Sequence, residues 1–256
     1  MVVVDDYRAI PKSAFDGVTS VINCVGTPLG DAVTLTAVNV DIAVKAARSA
    51  RDADVCHFIQ VSSLSVYGGA TAIDATTRVA PVSNYGRSKA AADAALLALA
   101  LPDFAVTVLR VPVLYGPGAA GKFGQLARAM TAFGAFPVFR PLARRSVLHL
   151  DNAAAAIAAL LVEPASSGVR FATDHEVFTL DTLAAAVALV SGKGVRLVAL
   201  PRAAAAIVRR ATPAGFASLY QDSLVAPETA LTRRLPLPIT LAAGLASMLV
   251  ADGTSR

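Results

Sequence analysis

Three short apolar runs constrain this chain more than anything else in it: residues 18–25 (VTSVINCV), 55–61 (VCHFIQV) and 104–111 (FAVTVLRV). Continuous apolar runs of this length suit strands buried on both faces, and strands that alternate with helical stretches form parallel βαβ units. Between the runs, residues 31–50 place Leu35, Val38, Ile42 and Ala46 on one helical face, and residues 90–101 form an Ala/Leu helix stopped by Pro102. Residues 1–4 read as a further short strand before Asp5 and Asp6. The expected fold is α/β, with a Rossmann-like parallel sheet.

The second half is less regular. Residues 119–146 read as loop-rich and basic, with Lys122, Arg128, Arg140, Arg144 and Arg145. SVLHL suits a short strand, with Asp151 or Asn152 as N-cap of the alanine helix that runs to about Val162. VRFATD is a strand, FTLDTLAAAVALVSG a helix with Gly192 past its end, and RLVALP a last short strand. His149 reads as a structural histidine.

Composition limits the function classes. Of the 256 residues 55% are hydrophobic and 16% charged, enough to fill a core and too apolar for bulk disorder. The net charge of +5 comes from scattered or paired cations, which suits a small anionic substrate and not a nucleic-acid tail. Cys24 and Cys56 fall inside apolar runs and read as small buried hydrophobes of a reducing cytosol. Asp5, Asp6 and Arg8 interrupt any signal peptide, and the apolar stretch 153–162 is too short to span a bilayer. The expected setting is cytoplasmic, with no membrane partner. No His/Asp/Glu cluster suggests a metal, and no Gly-x-Ser-x-Gly elbow suggests a hydrolase.

The chemistry-bearing stretch follows the run 55–61, which leads into Ser62-Ser63 and then, past a polar loop, into SNYGRSK. Tyr85 and Lys89 stand one helical turn apart, so phenol and ammonium share a face. A nearby ammonium favours the phenolate and would lower the Tyr85 pKa. A serine hydroxyl at the strand end can bond the oxygen whose proton the tyrosine exchanges. Together these groups suit an alcohol/ketone interconversion.

SSLSVYG followed by YGRSK resembles the extended short-chain dehydrogenase/reductases, the NAD-dependent epimerase/dehydratase family of nucleotide-sugar enzymes. The resemblance implies Ser63 as the hydroxyl, with Ser62 as runner-up, Tyr85 as acid/base and Lys89 as its partner. VINCVG is similar to the family's fourth strand, which implies that Asn23, Val25 and Gly26 border the cofactor. Asn39 in AVNVDIAVKAA, and Pro112 and Val113 in LRVPVLYGPG, are implied in the same role, as are Tyr85 and Lys89 themselves; Asp5 matches the family's adenine-binding aspartate. Arg145 in RRSVLHLDN is implied to bind a substrate diphosphate, with Arg144 competing and Lys122 as a weaker phosphate ligand.

The family's Gly-x-x-Gly-x-x-Gly loop is absent from the sequence. By the alignment Met1 begins at the family's third strand, and a missing cradle for the pyrophosphate predicts weak NAD or NADP binding. The strand at 18–25 would then be left with an open edge, to be covered by residues 2–4 or by another chain in a homodimer. The expected division is a truncated cofactor domain at 1–113, with 147–175 returning to its sheet, and a substrate-binding part at 114–146 and 176–256. The expected activity is NAD(P)-dependent epimerisation, dehydration or ketone reduction on a nucleotide-linked sugar. The alternatives are a cofactor-free binding or structural protein, and an incomplete chain from a mis-called start.

Overall fold

The computed structural model describes residues 10–119, 121–211 and 219–253. Asp5 and the expected strand at 1–4 lie outside the described residues. In chain order the first elements are β1 (Ser20–Asn23), α1 (Ala32–Thr36), α2 (Ile42–Arg51), β2 (His57–Ser63), β3 (Ala72–Ile73), α3 (Asn84–Leu97) and β4 (Ala105–Val111). There follow β5 (Val113–Tyr115), α4 (Gly121–Phe133), β6 (Ala135–Val138), β7 (Val147–His149), α5 (Leu150–Val162) and β8 (Gly168–Phe171). Last come α6 (Leu180–Ser191), β9 (Arg196–Ala199), α7 (Arg202–Ala211), β10 (Leu224–Val225) and α8 (Leu241–Ala251).

The chain divides into two compact units. The first takes the chain to Gly68, Ala75–Pro112 and Ile157–Ala172. Its sheet runs β1-β2-β4-β8, every neighbour parallel, as the apolar runs require. Phe58 and Ile59 of β2 and Val106, Val108 and Leu109 of β4 are buried on both faces of that sheet. On α2 the buried positions are Ile42 and the small residues Ala43, Ala46, Ala47 and Ala50, which bring the helix backbone close against Phe58 and Leu96. Among the described residues β1 is the outer strand. Ser62 lies opposite Arg110, and Ser63 opposite Val111, in the β2–β4 register.

The second unit takes Gly69–Asp74, Val113–Ala156 and Thr173–Arg256. Three parallel strand pairs, β3–β10, β5–β7 and β6–β9, frame it. Its core gathers Met130 of α4, Leu183 and Val187 of α6, and Leu245 and Leu249 of α8. Thr179 caps α6 in a reciprocal box with Thr182, and Gly192 ends that helix in the left-handed conformation at φ 68°.

Several expectations need correction. Residues 119–146 are not mainly loop: α4 and β6 fill much of the stretch, because Phe123, Gly124, Ala127 and Met130 recur at helical spacing and are buried. Asp151 and Asn152 lie inside α5, which starts at Leu150, and the Asp151 amide donates to Nδ1 of His149 at 3.2 Å. Only part of 147–175 joins the first sheet: β8 pairs with β4, whereas β7 pairs with β5 in the second unit. Cys24 and Cys56 are exposed, not buried. They flank opposite ends of a parallel pair, five register steps or about 16 Å apart, too far for a disulfide.

Candidate active site

The start of α3 brings the key side chains together. Ser83 caps the helix by accepting from the Gly86 amide at 3.0 Å. A Cβ at Gly86 would stand 2.5 Å from the Ser65 carbonyl oxygen, so glycine is what lets the helix approach the segment after β2 this closely. That approach sets the half-buried Tyr85 against Ser63, whose hydroxyl bonds the phenol. The Ser63 oxygen also accepts from the Ser65 amide at 3.2 Å. One turn along α3, Lys89 is only 4% exposed, and its Nζ donates to the Val61 carbonyl at 2.8 Å.

Burial governs the ionisation here. It pushes the Tyr85 phenol above its ordinary value; the Ser63 bond works against that rise and the Asp93 charge adds to it. It pushes the Lys89 ammonium down, with Asp93 and then Cys24 opposing. The expectation that Lys89 would lower the Tyr85 pKa is therefore overturned: desolvation of the phenol dominates, and the ammonium is directed at a backbone carbonyl. Cys24 is exposed as a residue, yet partial desolvation still pushes its thiol up, with the Lys89 charge working against that rise.

The residues expected to border a cofactor divide into two kinds. Asn39 is fully buried in a π-helical turn, Ala37–Asp41, between α1 and α2. Its side chain accepts from the Thr27 amide at 2.8 Å and donates to the Thr27 carbonyl and the Ser88 hydroxyl, both at 2.9 Å. Asn23 is buried too, donating to Gln60 at 2.8 Å and accepting from the Val25 amide at 3.1 Å. These asparagines hold the loop after β1 in shape. Gly26 is different. A Cβ there would lie 3.1 Å from Asn39 Oδ1 and 3.9 Å from Lys89 Nζ, so the bare backbone leaves room beside the ammonium. Gly26 and Lys89 could border a bound cofactor here. Val25 is half-buried and Pro112 buried.

In the second unit Val113, Lys122 and Arg145 line one hollow with Phe123, Phe178 and Leu180. The Arg145 backbone bridges Phe178 and Ser223, and its guanidinium donates to the Gln221 carbonyl at 2.9 Å. Arg144 lines a separate cavity of about 390 Å³ with Asp174, Glu176 and Arg233. The two adjacent arginines therefore serve different hollows.

A buried polar cluster in the first unit escaped the sequence reading. Arg110 Nε donates to Asp93 Oδ2 at 2.9 Å, and its Nη1 to the Tyr67 hydroxyl at 2.6 Å. Ser62 faces the same carboxylate. The signals were present: Asp93 is the lone charge in AAADAALL, and Arg110 interrupts an apolar strand.

The fold and this site define a class, the Rossmann-like proteins with a Ser, Tyr and Lys gathered beside the sheet. Residues 5–171 match the model of the NAD dependent epimerase/dehydratase family, and the chain belongs to that family. It is 31% identical over 153 residues to a UDP-glucose 4-epimerase of Vibrio cholerae, a match covering 56% of this chain and 46% of the relative. It is 31% identical over 165 residues to a ceramide reductase of Caulobacter vibrioides, covering 64% of this chain and 47% of the relative. The matches thus span about half the length of these relatives. Among solved structures, UDP-glucuronic acid 4-epimerase from Bacillus cereus in complex with NAD shares the fold, with a TM-score of 0.77 at 15% identity, over 98% of this chain and 80% of that one. Among the described residues no helix is long and apolar enough to cross a membrane.

Proposed function

We propose that this chain acts as an NAD(P)-dependent epimerase, dehydratase or ketoreductase on a nucleotide-linked sugar. The observation that carries this reading is the trio on α3 and β2: Tyr85 bonded by Ser63, with the buried ammonium of Lys89 one turn further on. A bound nicotinamide supplies the hydride acceptor or donor. The chain's own part is proton chemistry. Tyr85 takes or returns the proton of the sugar hydroxyl, and Ser63 donates to the same oxygen. Lys89 has three N–H donors and gives one to Val61, which leaves two for the cofactor's ribose. Lys122 and Arg145 supply positive charge for a diphosphate.

The relative named a UDP-glucose 4-epimerase supports the sugar reading. The relative named a ceramide reductase favours a second one, reduction of a lipid ketone by the same three side chains. The test incubates the purified protein with NAD and UDP-glucose or UDP-glucuronic acid and resolves the products by chromatography. A parallel arm follows NADPH oxidation with a long-chain keto-lipid. Epimerised or oxidised sugar is the expected result. Turnover in the lipid arm alone moves the assignment to the second reading. No turnover in either arm, with no saturable NADH binding, overturns both in favour of a binding or structural role.

A further inference from the structure

The α3 face that carries Tyr85 and Lys89 continues, one more turn on, to Asp93, which is 1% exposed. Asp93 and Arg110 form an ion pair with both side chains almost wholly removed from water. Here the charges number three, not two. Lys89 and Arg110 are both buried cations, and among the described residues Asp93 is the carboxylate that acts on both, one helical turn from Lys89 on α3 and 2.9 Å from Arg110 Nε. Asp93 Oδ2 takes the Arg110 bond; Oδ1 and the facing Ser62 hydroxyl are buried and have no bond of ordinary geometry among the described residues. The carboxylate is thus held by one oxygen; burial pushes the Asp93 carboxyl up, and the facing Ser62 hydroxyl and the Arg110 and Lys89 charges work against that rise.

We propose that Asp93, clamped by Arg110, is a positioning residue that keeps the buried Lys89 ammonium charged and seated against Val61. Arginine stays protonated in any protein setting, so when the shared carboxylate is removed the lysine is the cation that gives way. Arg110 is in turn fixed by Tyr67, which accepts from Nη1 while its ring lies 5.1 Å from the guanidinium carbon and stacks on Phe171. Among the described residues, the groups that act on the Lys89 charge are Asp93 from its own helix and Cys24 from the loop after β1, with Arg110 of β4 behind Asp93. Asp93 is the carboxylate among them. The consequence for catalysis rests on the function proposed above; the charge relation does not.

The test reads Lys89 directly and needs no turnover. The chain has five lysines, so protein labelled with ¹³Cε-lysine gives a simple spectrum, and the Lys89→Met variant identifies the Lys89 signal. Its pH titration is compared in wild type, Asp93→Asn and Asp93→Glu. The expected result is a roughly 10-fold or greater increase in the Lys89 acid dissociation constant in Asp93→Asn, restored by Asp93→Glu. An unchanged Lys89 titration in folded Asp93→Asn overturns the proposal and leaves Asp93 a purely structural partner of Arg110. Should Asp93→Asn not fold, the wild-type protein decides: a second, acid-range inflection of the Lys89 signal, moved by Asp93→Glu, supports the coupling, and its absence overturns it.

Discussion

Lys89 donates its ammonium to the Val61 carbonyl at 2.8 Å, two residues before the serine that bonds Tyr85. This bond ties the catalytic helix to the end of the central strand and does so with a buried cation. Burial depresses the Lys89 pKa below the ordinary 10.5, so the charged form is bound less well in the folded state than in the unfolded one. Its contribution therefore grows as pH rises towards 10.5 and is lost as pH falls through the folded-state value. Tyr85 and Tyr115 have the opposite sign. Their phenols are raised above 10.0, so their stabilising contribution is complete below pH 10.0 and fades above it. Denaturant midpoints measured against pH should climb on the alkaline side and turn over above the ordinary tyrosine range. In Lys89→Met the lysine-dependent climb should vanish; a climb identical to wild type would refute this account.

Replacing Tyr85 by Phe keeps the ring and removes the acid/base. Turnover should drop by about 10²–10⁴-fold while the melting temperature stays close to wild type. Ser63→Ala should act in the same direction more mildly, because Ser63 orients the oxygen and Tyr85 moves the proton. Equal turnover in Tyr85→Phe and wild type would remove Tyr85 from the chemistry.

The parts of this molecule that were legible from sequence are those where one residue type can serve only one purpose. The runs that became β1, β2 and β4 are apolar on both faces, which only a covered sheet tolerates. Tyr85 and Lys89 were visible because their separation equals a helical turn. Burial was not visible, and it reversed the expected direction of the Tyr85 shift. It also hid the bonds by which the Asn39 amide holds Thr27 and Ser88. α4 was missed because glycines and cations interleave with Phe123, Ala127 and Met130. Cys24 and Cys56 looked buried because they flank apolar strands, but each stands at a strand end, where the sheet opens to solvent.

The two adjacent arginines give a matched pair of variants. Arg145 lines the hollow with Lys122, whereas Arg144 lines the cavity bounded by Asp174 and Glu176. A charged hydrogen bond to phosphate contributes about 1.5–3 kcal/mol, so Arg145→Ala should weaken binding of a UDP-sugar by roughly 10–100-fold. Arg144→Ala should leave it unchanged. Titration calorimetry that shows equal losses for both variants would mean that the diphosphate does not sit in the Arg145 hollow.

The second unit has its own polar centre, and it makes the last prediction. Tyr115 donates its hydroxyl to Asp174 Oδ2 at 2.7 Å, while Asp174 Oδ1 accepts from Asn152 Nδ2 at 2.7 Å and from the His149 amide at 3.1 Å. Both rings press on α8 at Gly244: a Cβ there would lie 2.8 Å from His149 Cδ2, 2.9 Å from Tyr115 Cε2 and 3.0 Å from the Tyr115 oxygen. Neither ring is free to retreat, since the phenol is tied to Asp174 and His149 Nδ1 to the Asp151 amide. Tyr115→Phe removes the donor to a buried carboxylate and should cost about 1.5–3 kcal/mol. Gly244→Ala overpacks the same spot and should cost about 1–3 kcal/mol. The double variant discriminates between a rigid and a yielding centre. Without its hydroxyl the ring at 115 loses both its tether and its closest polar contact with residue 244, so the alanine can be accommodated. The combined loss should fall short of the sum of the single losses by about 0.5 kcal/mol or more. Strict additivity in chemical denaturation would show that the Tyr115–Asp174 bond is not what holds the ring against α8.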